Sequence, residues 1–169
     1  MVPGLMPSAP EPLSARHRLD DFDSGVASLD DWLRRRAMRN QASGATRTFA
    51  SCDGDRVIAY YALASSAVAA IAAPGRIKRN MPDPIPVVVL ARLAVARSHQ
   101  KQGLGRALFQ DAARRAIHAS AAIGIRGLLV HAISEDARAF YLRLGLDPSP
   151  LDPMTLMTTI ADLRTALAP

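Results

Sequence analysis

The sequence predicts a single α/β domain, and three observations carry that expectation. Residues 86–95 and 127–133 are apolar on both faces for most of their length, as strands inside a covered sheet are. Leu104, Ala107, Leu108 and Ala112, then Ala137, Phe140, Tyr141 and Leu144, recur at helical spacing. The chain has 169 residues, 49% hydrophobic and 21% charged, enough for a substantial core and balanced as globular domains are. Strand, helix, strand, helix, strand over the second half implies a mainly parallel central sheet covered on both sides.

In chain order, residues 1–12 read as a flexible tail, with Pro3, Pro7, Pro10 and Pro12 among small residues, and residues 13–169 as the domain. Residues 15–19 suit a short first strand. Asp23-Ser24-Gly25 marks a helix start with Ser24 as cap, after which Val26, Leu29, Leu33 and Ala37 should face the core with Trp32 beside them. Asp30/Arg34 and Asp31/Arg35 are favourable outer pairs, while Arg35/Arg39 repel unless an anion sits near. Residues 41–46 form a polar linker. Residues 47–52 and 56–63 make a hairpin around Asp53-Gly54-Asp55. Residues 64–73 are too rich in alanine to assign. Residues 74–86 hold Pro74, Pro82, Pro84 and Pro86 with Arg76, Lys78 and Arg79, so they are not regular throughout; such basic, kinked loops often grip substrates. A helix follows from 102 to about 121. Ser134 caps a later helix that Gly145 ends. Residues 154–160 close the sheet, and 161–169 form a tail.

Several classes are excluded. Arg92 and Arg126 interrupt the apolar stretches, so no membrane span of the needed ~18–20 residues exists. No basic segment followed by an apolar one opens the chain, and the single Cys52 permits no internal disulfide; a cytoplasmic, reducing location is expected. Twenty-one Lys+Arg against fifteen Asp+Glu give a net charge of +6. Only Lys78 and Lys101 are lysines. Arginine's planar fork suits phosphate, which points to a nucleotide cofactor, a nucleic acid or both; a biased coding genome produces the same enrichment.

The most informative segment is Gln100-Lys101-Gln102-Gly103-Leu104-Gly105-Arg106, where the long strand ends and a helix begins. Such a junction aims unpaired N–H groups and a positive dipole end at one point, a place for a diphosphate. A helix start that needs small residues for packing reads the same way. No Gly-Lys-Ser/Thr follows and the Gly-x-Gly-x-x-Gly spacing is absent, which excludes nucleoside-triphosphate and dinucleotide loops.

This segment resembles the Gln/Arg-x-x-Gly-x-Gly/Ala cofactor motif of the GCN5-related N-acetyltransferase (GNAT) family. The resemblance implies a mixed central sheet splayed between its fourth and fifth strands, with helices on both faces. It implies acetyl-CoA as cofactor, its diphosphate cradled by N–H groups from Gln102 to Arg106 and its pantetheine arm along Leu93, Ala94 and Val95. Lys101 stands where many members have glycine, so its side chain must point outward. A narrower resemblance covers residues 13–163: Phe22-Asp23-Ser24-Gly25 with Leu29-Asp30-Asp31-Trp32-Leu33, Pro84-Ile85-Pro86-Val87, and Ala137-Arg138-Ala139-Phe140-Tyr141 are similar to acetyltransferase toxins of bacterial toxin–antitoxin pairs. Those enzymes acetylate the amino group of aminoacyl-tRNA and stop translation. They imply a homodimer and a small antitoxin of ribbon-helix-helix type.

By spacing alone Tyr141 is a core tyrosine on the Ala137/Leu144 face. The resemblance makes it the catalytic residue, a general acid to the departing thiolate or a holder of the cofactor thiol, with Phe140 beside it at the cofactor. No carboxylate base stands in the catalytic segments, because Glu135 and Asp136 suit a helix dipole. An α-amino group, with pKa near 8 and lowered further by ester linkage, needs little help to deprotonate. Arg34, Arg35, Arg36, Arg39, Arg76, Lys78, Arg79 and Arg92 are candidates for tRNA phosphates; a solvated face is the plain alternative for the helix cluster. His99, His118 and His131 have no metal-like spacing with a cysteine, so no metal is expected. A GNAT enzyme for small amines or protein N-termini, and a non-catalytic CoA- or RNA-binding module, are the competing readings.

Overall fold

A computed structural model describes residues 7–169. Seven strands, β1 (Glu11–Pro12), β2 (Arg47–Asp53), β3 (Arg56–Val68), β4 (Ile85–Val95), β5 (Gly127–His131), β6 (Asp147–Pro148) and β7 (Thr155–Thr159), form one mixed sheet in the order β1-β2-β3-β4-β5-β7-β6. The helices on its two faces are α1 (Ala27–Trp32), α2 (Met38–Ser43), α3 (Gly75–Lys78), α4 (Leu104–Ser120), α5 (Glu135–Arg143) and α6 (Ile160–Leu167). The sheet is not mainly parallel. Of the pairings, β4–β5 is parallel, whereas β1–β2, β2–β3, β5–β7 and β6–β7 are antiparallel. The crossover through α5 sets β6 down one place away from β5, and the chain then turns back so that β7 fills the gap antiparallel to both. The β4–β5 register pairs Val87, Val88, Val89 and Leu90 with Gly127, Leu128, Leu129 and Val130, although β4 runs on to Val95.

Contacts gather into two compact units, one holding the chain up to Ala64 with Arg92–Ala112, the other Ser65–Ala91 with Ala113–Pro169. In the first, the hairpin turns at Gly54 (φ 62°) as expected. Its core joins Leu13, Phe22, Leu29, Leu33, Val57, Ile58 and Tyr60. Leu33 is fully buried, and its truncation to alanine costs about 2–5 kcal/mol. The Tyr60 ring lies between Phe22, edge-on at 5.5 Å, and Trp32, stacked at 5.9 Å, while its hydroxyl donates to Leu29 O at 2.6 Å.

Several expectations fail in this unit. Residues 15–19 make only one bridge, Arg18 to Arg56. The first strand is β1, and Ser8 N–H also bonds to Cys52 O, so the described part of the expected tail is an edge element; its prolines are tolerated because an edge strand needs fewer donors. The helix starts at Ala27 with Val26 in the cap position. Ser24 instead donates from Oγ to Asp30 Oδ1 at 2.6 Å and from N–H at 3.0 Å. Asp30 is therefore buried and Val26 is 37% exposed, the reverse of the expected faces. Arg34 pairs with Asp31, not Asp30. A π-helical segment, Leu33–Ala37, joins α1 to α2, and α2 extends into the expected linker as far as Ser43.

The second unit packs Val68, Ile77, Ile85, Val87, Leu129 and Met157 together. Gly127 faces the β7 backbone so closely that a Cβ would lie 2.2 Å from Thr158 O; no other residue fits. Arg126 donates to Ile77 O at 3.0 Å and Arg76 O at 2.7 Å, closing the end of α3. That short helix lies in the stretch expected not to be regular throughout, and β3 reaches into the unassigned alanines as far as Val68. Ser134 Oγ accepts from Ala137 N–H at 3.1 Å as expected. At the other end of α5, Gly145 (φ 96°) lets Leu146 N–H reach Tyr141 O at 3.2 Å and its own N–H reach Leu142 O at 3.0 Å, which satisfies the last-turn carbonyls. β5 stops at His131, leaving Ile133 58% exposed. The expected C-terminal tail is α6, capped by Thr159 and anchored by Ile160 and Leu163. Among the described residues no helix is long and apolar enough to cross a membrane.

Candidate functional site

After Val95 the chain makes a 3-10 turn, Arg97–His99, before α4 begins at Leu104. Lys101 (φ 62°) and Gly103 (φ 80°) are both left-handed. This explains why glycine suits position 101: a side chain there carries the left-handed penalty of about 1–2 kcal/mol. Among the described residues none of the N–H groups of Lys101, Gln102, Gly103, Leu104, Gly105 and Arg106 finds an acceptor in the chain; Ala107 N–H is the first, on Gly103 O at 3.1 Å. The space where a Gly103 Cβ would stand is open to 4 Å. A row of unmet donors at the positive end of a 17-residue helix is a fit for a diphosphate.

Gln100 does not offer its side chain to that space. Its Nε2 donates to Val95 O and Ser24 O, each at 2.8 Å, tying the end of β4 to the loop before α1. Arg97 strengthens the same junction, N–H to Asp23 O at 2.8 Å and Nε to Asp23 Oδ1 at 3.2 Å. A cavity of about 420 Å³ lies against Ser24, Gly25, Arg97, Gln100 and Lys101. Of these, Ser24, Gly25 and Arg97 were not expected at the site; the signal lay in the stretch Phe22-Asp23-Ser24-Gly25. Along β4, Ala94 is buried in the core, and Leu93 and Val95 are half-buried.

Tyr141 stands on the buried side of α5, 8% exposed, with Phe140 edge-on at 5.1 Å. Burial pushes its hydroxyl well above the ordinary phenol range, so it is a proton donor throughout neutral pH.

The arginine candidates divide. Arg35, Arg36 and Arg39 are exposed on the first helical segment, as are Lys78 and Arg79 in the other unit. Arg34 is engaged, donating to Phe22 O at 2.7 Å. Arg76 is ion-paired with Asp162. The Arg92 guanidinium lies 5.1 Å above the Trp32 ring, a cation–π contact.

One trio among the described residues brings metal-type atoms together, Glu11, His17 and Cys52, within 4.8 Å. Ser14 N–H donates to His17 Nδ1 at 2.9 Å, so the proton is on Nε2, which donates to Glu11 Oε1 at 2.9 Å. The imidazole thus has both nitrogens committed, and burial raises the Cys52 thiol to about 11, which makes it a poor nucleophile.

The acetyltransferase (GNAT) domain family matches residues 46–145, more than half of the chain. A tRNA-acetylating toxin of Mycobacterium tuberculosis (strain ATCC 25618 / H37Rv) is 48% identical over 160 residues, covering 95% of this chain and 96% of the relative. Among solved structures, the toxin AtaT complexed with acetyl-methionyl-tRNAfMet superposes with a TM-score of 0.86 at 31% identity, covering 92% of this chain and 96% of that one. A tyrosine-to-phenylalanine mutant of AtaT, bound to acetyl-CoA and the C-terminus of the antitoxin AtaR, gives 0.83 at 29% identity, covering 95% and 98%. With the open amide row, the buried tyrosine and these likenesses in agreement, the chain belongs to the GNAT acetyltransferase family.

Proposed function

We propose that this chain transfers the acetyl group of acetyl-CoA to the α-amino group of aminoacyl-tRNA and thereby arrests translation. The observation that carries the reading is the likeness, over nearly the whole chain, to a toxin named for acetylating tRNA. Acetyl-CoA supplies an activated thioester. The N–H groups of Gln102, Gly103, Leu104, Gly105 and Arg106 hold its diphosphate, Gln100 sets the loop, and Lys101 adds a cation at the rim. The Leu93, Ala94 and Val95 edge takes the pantetheine arm, and a strand N–H there stabilises the oxyanion. Phe140 packs beside Tyr141, whose O–H protonates the departing sulfur. Arg35, Arg36, Arg39, Lys78 and Arg79 meet tRNA phosphates, with Arg34, Arg76 and Arg92 held in place by their own partners. The chain works in the cytoplasm as a homodimer and is restrained by a small antitoxin of ribbon-helix-helix type.

The test is incubation with bulk charged tRNA and labelled acetyl-CoA, followed by mass analysis of the released aminoacyl groups. N-acetylated amino acids are expected. Charged tRNA recovered unmodified, with protein that binds CoA, contradicts the reading.

A further inference from the structure

The chain's second unit contains a file of three polar side chains, Asp152, Thr155 and His131. Asp152, in the loop before β7, accepts from Met154 N–H through Oδ1 and from Thr155 Oγ1 through Oδ2, each at 2.9 Å. These bonds, the backbone one first, hold its carboxyl below the usual carboxylate range. A carboxylate accepts and never donates, so the Thr155 hydroxyl proton points to Asp152. The Thr155 oxygen therefore receives the His131 Nδ1 proton across 2.9 Å. That fixes the tautomer: Nδ1 carries hydrogen and Nε2 keeps its lone pair. The ring is exposed while the four preceding residues of β5 are buried.

Its place in the fold matters as much as its tautomer. Thr155 is the cross-strand partner of His131 on β7, so the two side chains share a face. Val130 is the last β5 residue paired to β4, and His131 follows it. His131 is thus the first residue past the end of the parallel β4–β5 pairing, at the carboxyl end of β5. Ligands of sheets with parallel strands bind outside those ends.

We propose that His131, oriented by Thr155 and Asp152, is the general base of the acetyl transfer. This inference rests on the aminoacyl-tRNA reading. The amine lone pair forms the new N–C bond as the carbonyl π electrons move to oxygen, and their return breaks the C–S bond with its electrons on sulfur. His131 Nε2 takes the proton that the nitrogen sheds, and Tyr141 gives its hydroxyl proton to sulfur. Proton exchange with water restores both residues.

The test measures acetylation of charged tRNA by wild type, His131→Ala, His131→Gln and Thr155→Val, with CoA affinity and melting temperature for each. His131→Ala should lose about 10²-fold or more in kcat with CoA affinity retained, and added imidazole should restore part of it. Thr155→Val should fall between, since its histidine remains but is no longer oriented. A His131→Ala kcat within twofold of wild type, or a loss that imidazole leaves unmoved while His131→Gln is fully active, overturns the base assignment. Wild type that acetylates no charged tRNA sinks the parent reading instead, which keeps the two failures apart.

Discussion

The loop at residues 100–106 and the α5–β7 region represent two ways of building a site. In the first the working groups are backbone N–H donors, placed by chain conformation alone: two left-handed residues, a 3-10 turn and a helix start. In the second, as proposed above, they are side chains: Tyr141, held by burial on α5, and His131, Thr155 and Asp152 around β5 and β7, held by one another. The contrast separates binding from chemistry. Damage to the loop should weaken the hold on CoA, whereas damage to the side-chain region should slow turnover and leave CoA affinity alone.

The largest effect belongs to Tyr141→Phe. Loss of the buried donor should cut kcat by about 10²–10⁴-fold, with CoA affinity within about threefold of wild type by calorimetry. Equal single-turnover rates would remove Tyr141 from the chemistry. Because its hydroxyl is pushed upward, the wild-type rate should show no loss up to about pH 10 from tyrosine ionisation.

A smaller, paired effect tests the loop. Gly103→Ala meets open space, so its cost is only the left-handed backbone, about 1–2 kcal/mol, read as a melting temperature lowered by several degrees. Lys101→Gly removes the same penalty from its neighbour and should raise the melting temperature by a few degrees. A fall on Lys101→Gly would show that the lysine side chain repays its strain.

The arginines form the next grade. Arg35→Ala, Arg36→Ala and Arg39→Ala should each weaken tRNA binding and flatten its salt dependence by about one unit of log–log slope, without affecting stability. Arg34→Ala should instead lower the melting temperature, because its guanidinium holds Phe22 O. The smallest effect is acid sensitivity. Glu11, chiefly through its bond from His17, and Asp152 both sit below their ordinary range when folded. The unfolded chain therefore takes up protons first, and stability present above about pH 4 is lost as pH falls; Glu11→Gln should lessen that dependence.

The two regions also differ in how far they could be read from sequence. The loop was legible because its devices are local: Gln100, Gly103 and Gly105 lie within six residues at the end of an apolar strand. The hairpin around Gly54 and the Ser134 cap were legible for the same reason. The direction of β7 was not, since antiparallel insertion beside β5 depends on where the crossover through α5 lands. Nor was Asp30, whose burial follows from Ser24 six residues earlier rather than from helical phase. The file from Asp152 to His131 needs two strands in register before its atoms meet, and no spacing along the chain announces it.

The central claim is that the amide row at residues 102–106 recognises a diphosphate. Calorimetric titration of the wild-type protein with coenzyme A and, separately, with pantetheine, which lacks that group, tests it most directly. The account predicts that coenzyme A binds at least about a hundredfold more tightly, the worth of two charge-assisted hydrogen bonds at about 1.5 kcal/mol each. Equal affinity for the two compounds would contradict it.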